Sequence, residues 1–208
     1  MAFFTTGLTE KQIDILHRMG AWTLQRSFYL AGGTALSIYF GHRASEDLDW
    51  FTMQVIANPL NLAQTMRTEG IDLITESFAE GTLHGSIHEV RMSFMSYPYA
   101  LLQPAFLWTE MNFALASVDD IACMKLVAVA QRGTKKDFID LYILLQCYKS
   151  LSELLDLYRQ KYTTENITPV LLGLVYFDDA ELDPLPLKWD VPWNEVKIYL
   201  QQSVRQIQ

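Results

Sequence analysis

The residues best suited to chemistry lie between Ala31 and Phe51, in the stretch AGGTALSIYFGHRASEDLDWF. Gly32-Gly33-Thr34 follows an apolar run, Phe28-Tyr29-Leu30, and Asp47-Leu48-Asp49 leads into Trp50-Phe51. Glycines let a backbone approach a bulky anion, and the free N–H groups at a helix start hold phosphate. Aspartates at i and i+2 of a strand point to one face. Two carboxylates on one face offer hard oxygen ligands to a divalent cation such as magnesium. A phosphate grip beside a magnesium grip is the equipment of nucleotidyl transfer. Each half has a plainer alternative. Gly-Gly before an apolar helix is often an ordinary tight turn, and acidic residues opening a strand are commonly solvated. The combined order of strand, Gly-Gly-Thr, short helix and Asp-x-Asp is the more specific signal.

A second set follows downstream. Lys125 and Arg132 stand seven apart in a segment that reads as a helix from Val118, so they share a face. Leu126, Val127, Val129 and Ala130 make the rest of that helix apolar. Cations aimed at a triphosphate would balance charge that shifts during transfer; a solvated basic stripe is the simpler reading. Asp137, three residues before Asp140, occupies the third helical position after Thr134, where a capping box alone would account for it. It could instead orient Lys125 or Arg132, or work as a base. The histidines show no ligand spacing: His84 and His88 are four apart, but in a segment that reads as extended.

The elements that must position these residues alternate in the first half of the chain. A capping-box pattern at Thr9 opens a helix over 10–25, followed by a short strand over 27–31, a helix over 34–41 and the paired-aspartate strand over 46–52. Asn58-Pro59 starts a helix that Gly70 ends. Extended segments follow at 71–77, 82–87 and 90–96, the last alternating cleanly between Val90, Met92, Phe94 and Arg91, Ser93, Met95, with one more short strand over 112–116. From Ser117 onward every periodic segment is helical: 118–132, a helix from Thr134, 152–160, 169–176 and 194–206. The fold expected is α+β: a small mixed sheet with flanking helices over residues 1–116, then an all-helical subdomain over 117–208.

Composition bounds the rest. Of 208 residues half are hydrophobic and only 19% charged, which excludes a disordered chain. A net charge of −8 argues against a broad nucleic-acid grip and leaves only a local basic funnel at Arg132, Lys135 and Lys136. The excess acid suits a basic partner protein, or solubility alone. No apolar run is long enough to cross a bilayer, and residues 1–10 lack a signal-peptide pattern, so a cytoplasmic protein without a membrane is expected. Cys123 and Cys147 lie in helical segments and are expected to be buried thiols.

Three blocks resemble the AbiEii/AbiGii-type nucleotidyltransferases, a branch of the DNA polymerase beta-like superfamily that includes toxins of toxin–antitoxin pairs. They are GGTALSIYFGHRASEDLDWF (Gly32 to Phe51), DDIACMKLVAVAQRGTKKDFIDLYIL (Asp119 to Leu144) and LLGLVYFDDAELDPLP (Leu171 to Pro186). The resemblance implies a nucleotidyltransferase sheet followed by a helical subdomain, in agreement with the composition shift at Ser117. It implies that Gly32, Gly33 and Thr34 hold a nucleoside triphosphate and that Asp47 and Asp49 bind magnesium. Lys125 and Asp137 match the functional lysine and aspartate of the second block, with Arg132 in support. The superfamily often places a third carboxylate on a neighbouring strand. The outward positions of the 90–96 strand are Arg91, Ser93 and Met95, none acidic. Glu89 substitutes from the strand edge, or Asp137 takes the task, or one metal is held well, or activity is lost.

The function expected is magnesium-dependent transfer of a nucleoside monophosphate from a nucleoside triphosphate to an acceptor hydroxyl. The acceptor is open between tRNA, protein and a small alcohol. The resemblance adds a toxin role, with an antitoxin protein as partner. The rival is a binding module of the same fold that holds a nucleotide or a partner without turnover, and the missing third carboxylate favours it.

Overall fold

The computed structural model describes residues 3–207. The chain forms two compact units, Met1–Gly41 with Ser45–Ser117, and His42–Ala44 with Val118–Gln208.

The first unit opens with α1 (Glu10–Gln25), where Thr9 and Gln12 form the reciprocal capping box. Then come β1 (Tyr29–Ala31), α2 (Gly32–Phe40), β2 (Leu48–Thr52), α3 (Pro59–Thr68), β3 (Ile74–Ala79), β4 (Thr82–Ile87), β5 (Val90–Ser96), β6 (Phe106–Trp108) and β7 (Phe113–Leu115). The strands make a seven-stranded sheet in the order β3-β4-β5-β2-β1-β7-β6. The β2–β5 and β1–β7 pairs are parallel and the others antiparallel, so the sheet is mixed.

Alternation divides β2 and β5 as their sequences predict. Leu48 and Trp50 are buried with Met92 and Phe94, and the rings of Trp22 and Phe28 meet Phe94 at 6.1 and 5.3 Å. Burying these large apolar faces is what fixes the register: a slip by one residue would expose all of them. Asp47, Asp49, Arg91 and Ser93 are thereby turned to the opposite, open face. Several boundaries differ from the sequence reading: α2 begins at the glycines, β2 begins at Leu48 and leaves Asp47 just before it, and the helix expected over 169–176 ends at Gly173. β6 is absent from that reading, because a three-residue strand with Phe106 and Leu107 exposed has no alternation to detect. β3 begins at Ile74, three residues later than expected, because most of that edge strand is exposed and carries little pattern.

In the second unit α4 (Val118–Gln131) packs against α5 (Lys135–Cys147), α6 (Leu151–Tyr162) and α7 (Thr168–Gly173), and α8 (Trp193–Arg205) packs on α5. Gly133, with φ of 52°, makes the turn between α4 and α5. Gly173 brings α7 against the α4 backbone: a Cβ there would lie 2.5 Å from the Val129 carbonyl oxygen. A fully buried ion pair, Lys161 Nζ to Asp120 Oδ1 at 2.6 Å, ties α6 to α4. The acidic segment near Asp178 contains a single 3-10 turn, Asp178–Ala180. Among the described residues no helix is long and apolar enough to cross a membrane.

Candidate active site

In the sheet unit the Gly-Gly-Thr turn enters α2 directly from β1. Gly32 adopts φ of +68°, which L side chains avoid, and its position shows why a side chain is missing: a Cβ would lie 2.8 Å from Asp49 Oδ2. Ala31, at the N-cap, offers no side-chain hydrogen bond. Thr34 is buried, its Oγ1 2.7 Å from Ser45 Oγ and hydrogen-bonded to the Asp47 carbonyl. The Thr34 hydroxyl thus ties the start of α2 to the strand bearing the aspartates, and what the turn presents outward is backbone.

Asp49 pairs with Ala31 on β1 and with Ser93 on β5. Asp47 immediately precedes β2, two residues before Asp49, and its ion pair with Arg91 of β5 places it beside the same face. Its Oδ1 is 2.8 Å from Arg91 Nε in an ion pair whose geometry is not that of a hydrogen bond, and both side chains are well exposed, at 42% and 60%. Glu46 lies 3.6 Å from Arg91. Glu89 sits on the β4–β5 hairpin turn with φ of 69° and is ion-paired with Lys11.

The helical unit gathers the second set differently. Lys125 donates to Asp137 Oδ1 at 2.9 Å and lies 2.6 Å from Asp140 Oδ2. Asp137 also accepts from Arg132 Nε at 2.9 Å and from Thr134 Oγ1 at 2.7 Å. Asp140 accepts from Arg43 Nε at 2.7 Å and Nη2 at 2.8 Å, with His42 Nε2 2.8 Å away. The side chains of Lys125, Asp137 and Asp140 are 6%, 1% and 0% exposed, whereas that of Arg132 is 65% exposed. Burial pushes both carboxyls upward, but Lys125 and Arg132 at Asp137, and Arg43 and Lys125 at Asp140, reverse this and hold both well below the usual carboxylate range. Burial also pulls the Lys125 ammonium down, and Asp140 and Asp137 together carry it above the ordinary lysine value.

One alternative falls and three expectations are corrected here. Lys125 is no part of a solvated stripe; it is a buried cation between two carboxylates. Thr134 does not cap α5 with its side chain: its hydroxyl donates to the Asp137 carboxylate, so no capping box forms. Lys135 is not in a basic funnel, since it is buried and its ammonium bonds the carbonyls of Glu181 and Asp183. Of the two thiols only Cys123 is buried, and desolvation pushes it up to about 12; Cys147, at the end of α5, is exposed. The sequence reading also gave no role to His42 and Arg43, which supply three of the four contacts to Asp140 described above. The available signal was a basic pair directly after the helix-ending Gly41, in a chain with few charges.

The family model described as "Nucleotidyl transferase AbiEii toxin, Type IV TA system" matches residues 14–91 and 88–200. The chain belongs to the AbiEii nucleotidyltransferase toxin family. An uncharacterized protein of Aquifex aeolicus (strain VF5) is 33% identical over 210 residues, covering 96% of this chain and 97% of its own. Among solved structures, a candidate nucleotidyltransferase from H. pylori is similar with a TM-score of 0.58 and 19% identity over 96% of both chains. MenT4, a nucleotidyltransferase toxin from Mycobacterium tuberculosis H37Rv, is similar with a TM-score of 0.56 and 13% identity over 95% of this chain and 84% of its own. At those identities the two structures speak for the fold, and the AbiEii match for the family. This AbiEii protein is therefore a nucleotidyltransferase with a mixed sheet and an all-helical remainder.

Proposed function

We propose that this protein transfers a nucleoside monophosphate from a nucleoside triphosphate to an acceptor hydroxyl, with magnesium at Asp47 and Asp49, and that it acts as a toxin restrained by an antitoxin. The observation that carries the reading is the seat of Asp49: its carboxylate lies over a glycine whose Cβ would fill the same space, beside a helix start that offers backbone N–H groups. The donor set fits a hard cation. Among the described residues no cluster of three or more histidine, cysteine or acidic side chains forms a closed metal cage. Two carboxylates with the remaining positions left to water and phosphate is the coordination magnesium favours. The Arg91–Asp47 pair does not oppose this, because an exposed ion pair is worth about 0–1 kcal/mol and yields to a divalent ion.

Magnesium bound there would polarise the phosphoryl group and acidify the acceptor hydroxyl. The chain's own contributions are separate from that. Backbone at Gly32, Gly33 and Thr34 receives phosphate oxygens, with the Thr34 hydroxyl holding the turn to the Asp47 strand. Arg132 supplies exposed positive charge for the leaving pyrophosphate. Asp137 fixes Arg132, and Lys125 fixes Asp137.

The binding-module alternative rests on Ser93 standing next to Asp49 where a carboxylate would assist transfer. Incubation with each α-labelled nucleoside triphosphate and bulk bacterial tRNA, with and without magnesium, separates the two. Magnesium-dependent pyrophosphate release supports transfer, and nucleotide binding without release supports the module. Expression in a bacterial host should arrest growth, and Asp49→Asn should relieve the arrest.

A further inference from the structure

Transfer to a hydroxyl releases a proton, and the residues on the open face of the sheet restrict where it goes. Asp47 and Glu46 both face Arg91. Glu89 is 85% exposed, out on the hairpin turn and paired with Lys11. Asp137 is enclosed by Lys125, Arg132 and Thr134, and the two cations hold its carboxyl well below the usual carboxylate range. One row across the sheet remains. Asp49 on β2 is paired with Ser93 on β5, and Ser93 with His84 on β4. Neighbouring strands lie about 4.8 Å apart, so Ser93 is one strand from Asp49 and His84 is two. All three alternate with buried neighbours and point to the open face. Ser93 Oγ and His84 Nδ1 are 3.0 Å apart.

We propose that Ser93 and His84 form a proton relay that serves the acceptor hydroxyl beside Asp49; the proposal rests on the transferase reading above. With hydrogen on Nε2, His84 Nδ1 accepts the Ser93 hydroxyl proton. Ser93 Oγ takes the acceptor's proton as it passes on its own. The acceptor oxygen forms its bond to the α-phosphorus, the bond from that phosphorus to the bridging oxygen breaks, and pyrophosphate leaves with the electron pair. The imidazolium then returns its proton to water. A serine in this row can do what a carboxylate would do because a base stands behind it. Imidazole is the side chain suited to that task near neutral pH. The charged groups on the strands around His84 are Asp49 and Arg91, with Glu76 at the bulge of β3.

The test uses the full chain, magnesium, an α-labelled nucleoside triphosphate and bulk bacterial tRNA. His84→Ala and Ser93→Ala should each lower kcat about a hundredfold, within the range for losing a general base. Calorimetric affinity for the triphosphate should stay within about twofold of wild type, and added imidazole should restore part of the His84→Ala rate. Ser93→Asp puts a carboxylate into the same row, and in that background His84→Ala should lose nothing further. A histidine that only supports the sheet would shift the melting temperature, resist imidazole rescue and remain necessary in the Ser93→Asp background. Wild-type kcat in His84→Ala overturns the relay alone. Failure of the wild-type protein to release pyrophosphate with any nucleotide, whether tRNA, bacterial protein or a small alcohol is the acceptor, overturns the transferase reading and the relay together. Nitrogen NMR of His84 reads the tautomer without turnover: protonated Nε2 and accepting Nδ1 is expected, and protonated Nδ1 overturns the relay.

Discussion

The two charged clusters are built from the same residue types and differ in what surrounds them. On the sheet, Asp47 has one exposed arginine for a partner and stands beside Asp49 on an open face. In the helical unit, Asp137 and Asp140 are buried and receive three full cations, Arg43, Lys125 and Arg132. A charge in water with a weak partner is ready to exchange that partner for a ligand. A charge out of water with several partners cannot be uncovered without leaving the others uncompensated. On the function proposed above, burial separates the carboxylates that answer to a ligand from those that hold the fold.

The sharpest way to break this comparison is to neutralise one carboxylate of each kind. Asp49→Asn should reduce nucleotide transfer on the order of a thousandfold and leave the urea midpoint close to wild type. Asp140→Ala should do the reverse in emphasis. It leaves Arg43 and Lys125 buried without one of their counter-charges, and urea unfolding should show a loss of about 3–5 kcal/mol. Equal stability losses at the two sites would end the distinction.

Acid should weaken the fold chiefly through the helical cluster. Asp137 and Asp140 are depressed in the folded state, so their stabilisation is present above the unfolded value, about pH 3.9, and is lost as pH falls below it toward the folded values. Lys125 is raised, so its share is present below about pH 10.4 and lost as pH rises through its folded value. The urea midpoint should therefore be flat through neutrality and fall steeply below about pH 4, and Asp140→Asn should make that fall shallower. The smallest effect is expected at Arg91. Arg91→Ala should change stability by less than about 1 kcal/mol, while magnesium affinity, read by calorimetry, tightens a few-fold as Asp47 loses its competitor.

How far each cluster was legible in the sequence follows from the same physics. The sheet site is local: a glycine turn, a strand period and an aspartate pair are all contained in twenty-one residues, Ala31 to Phe51. β4 and β5 were readable to the residue because one face of each is buried, whereas β6, short and exposed, left no pattern. The helical cluster needed contacts between distant residues. Helical spacing puts Lys125 and Arg132 on one side but says nothing of whether water reaches it. The basic pair His42-Arg43 does not by itself point to its carboxylate, 98 and 97 positions away. Ser93 and His84 were likewise each visible as residues, and their pairing waited on strand order.

The crossing of residues 42–44 into the helical unit bears on how the chain is made. The linker that joins the glycine turn to the paired aspartates carries Arg43, whose carboxylate, Asp140, is synthesised 97 residues later. During translation the ribosome delivers the sheet strands well before it delivers that counter-charge, and N-terminal segments fold as they emerge. A nascent chain halted short of Asp140 has its phosphate turn and both aspartates but an unanchored link between them. The segment between α2 and β2 is therefore fixed only once Asp140 has been made.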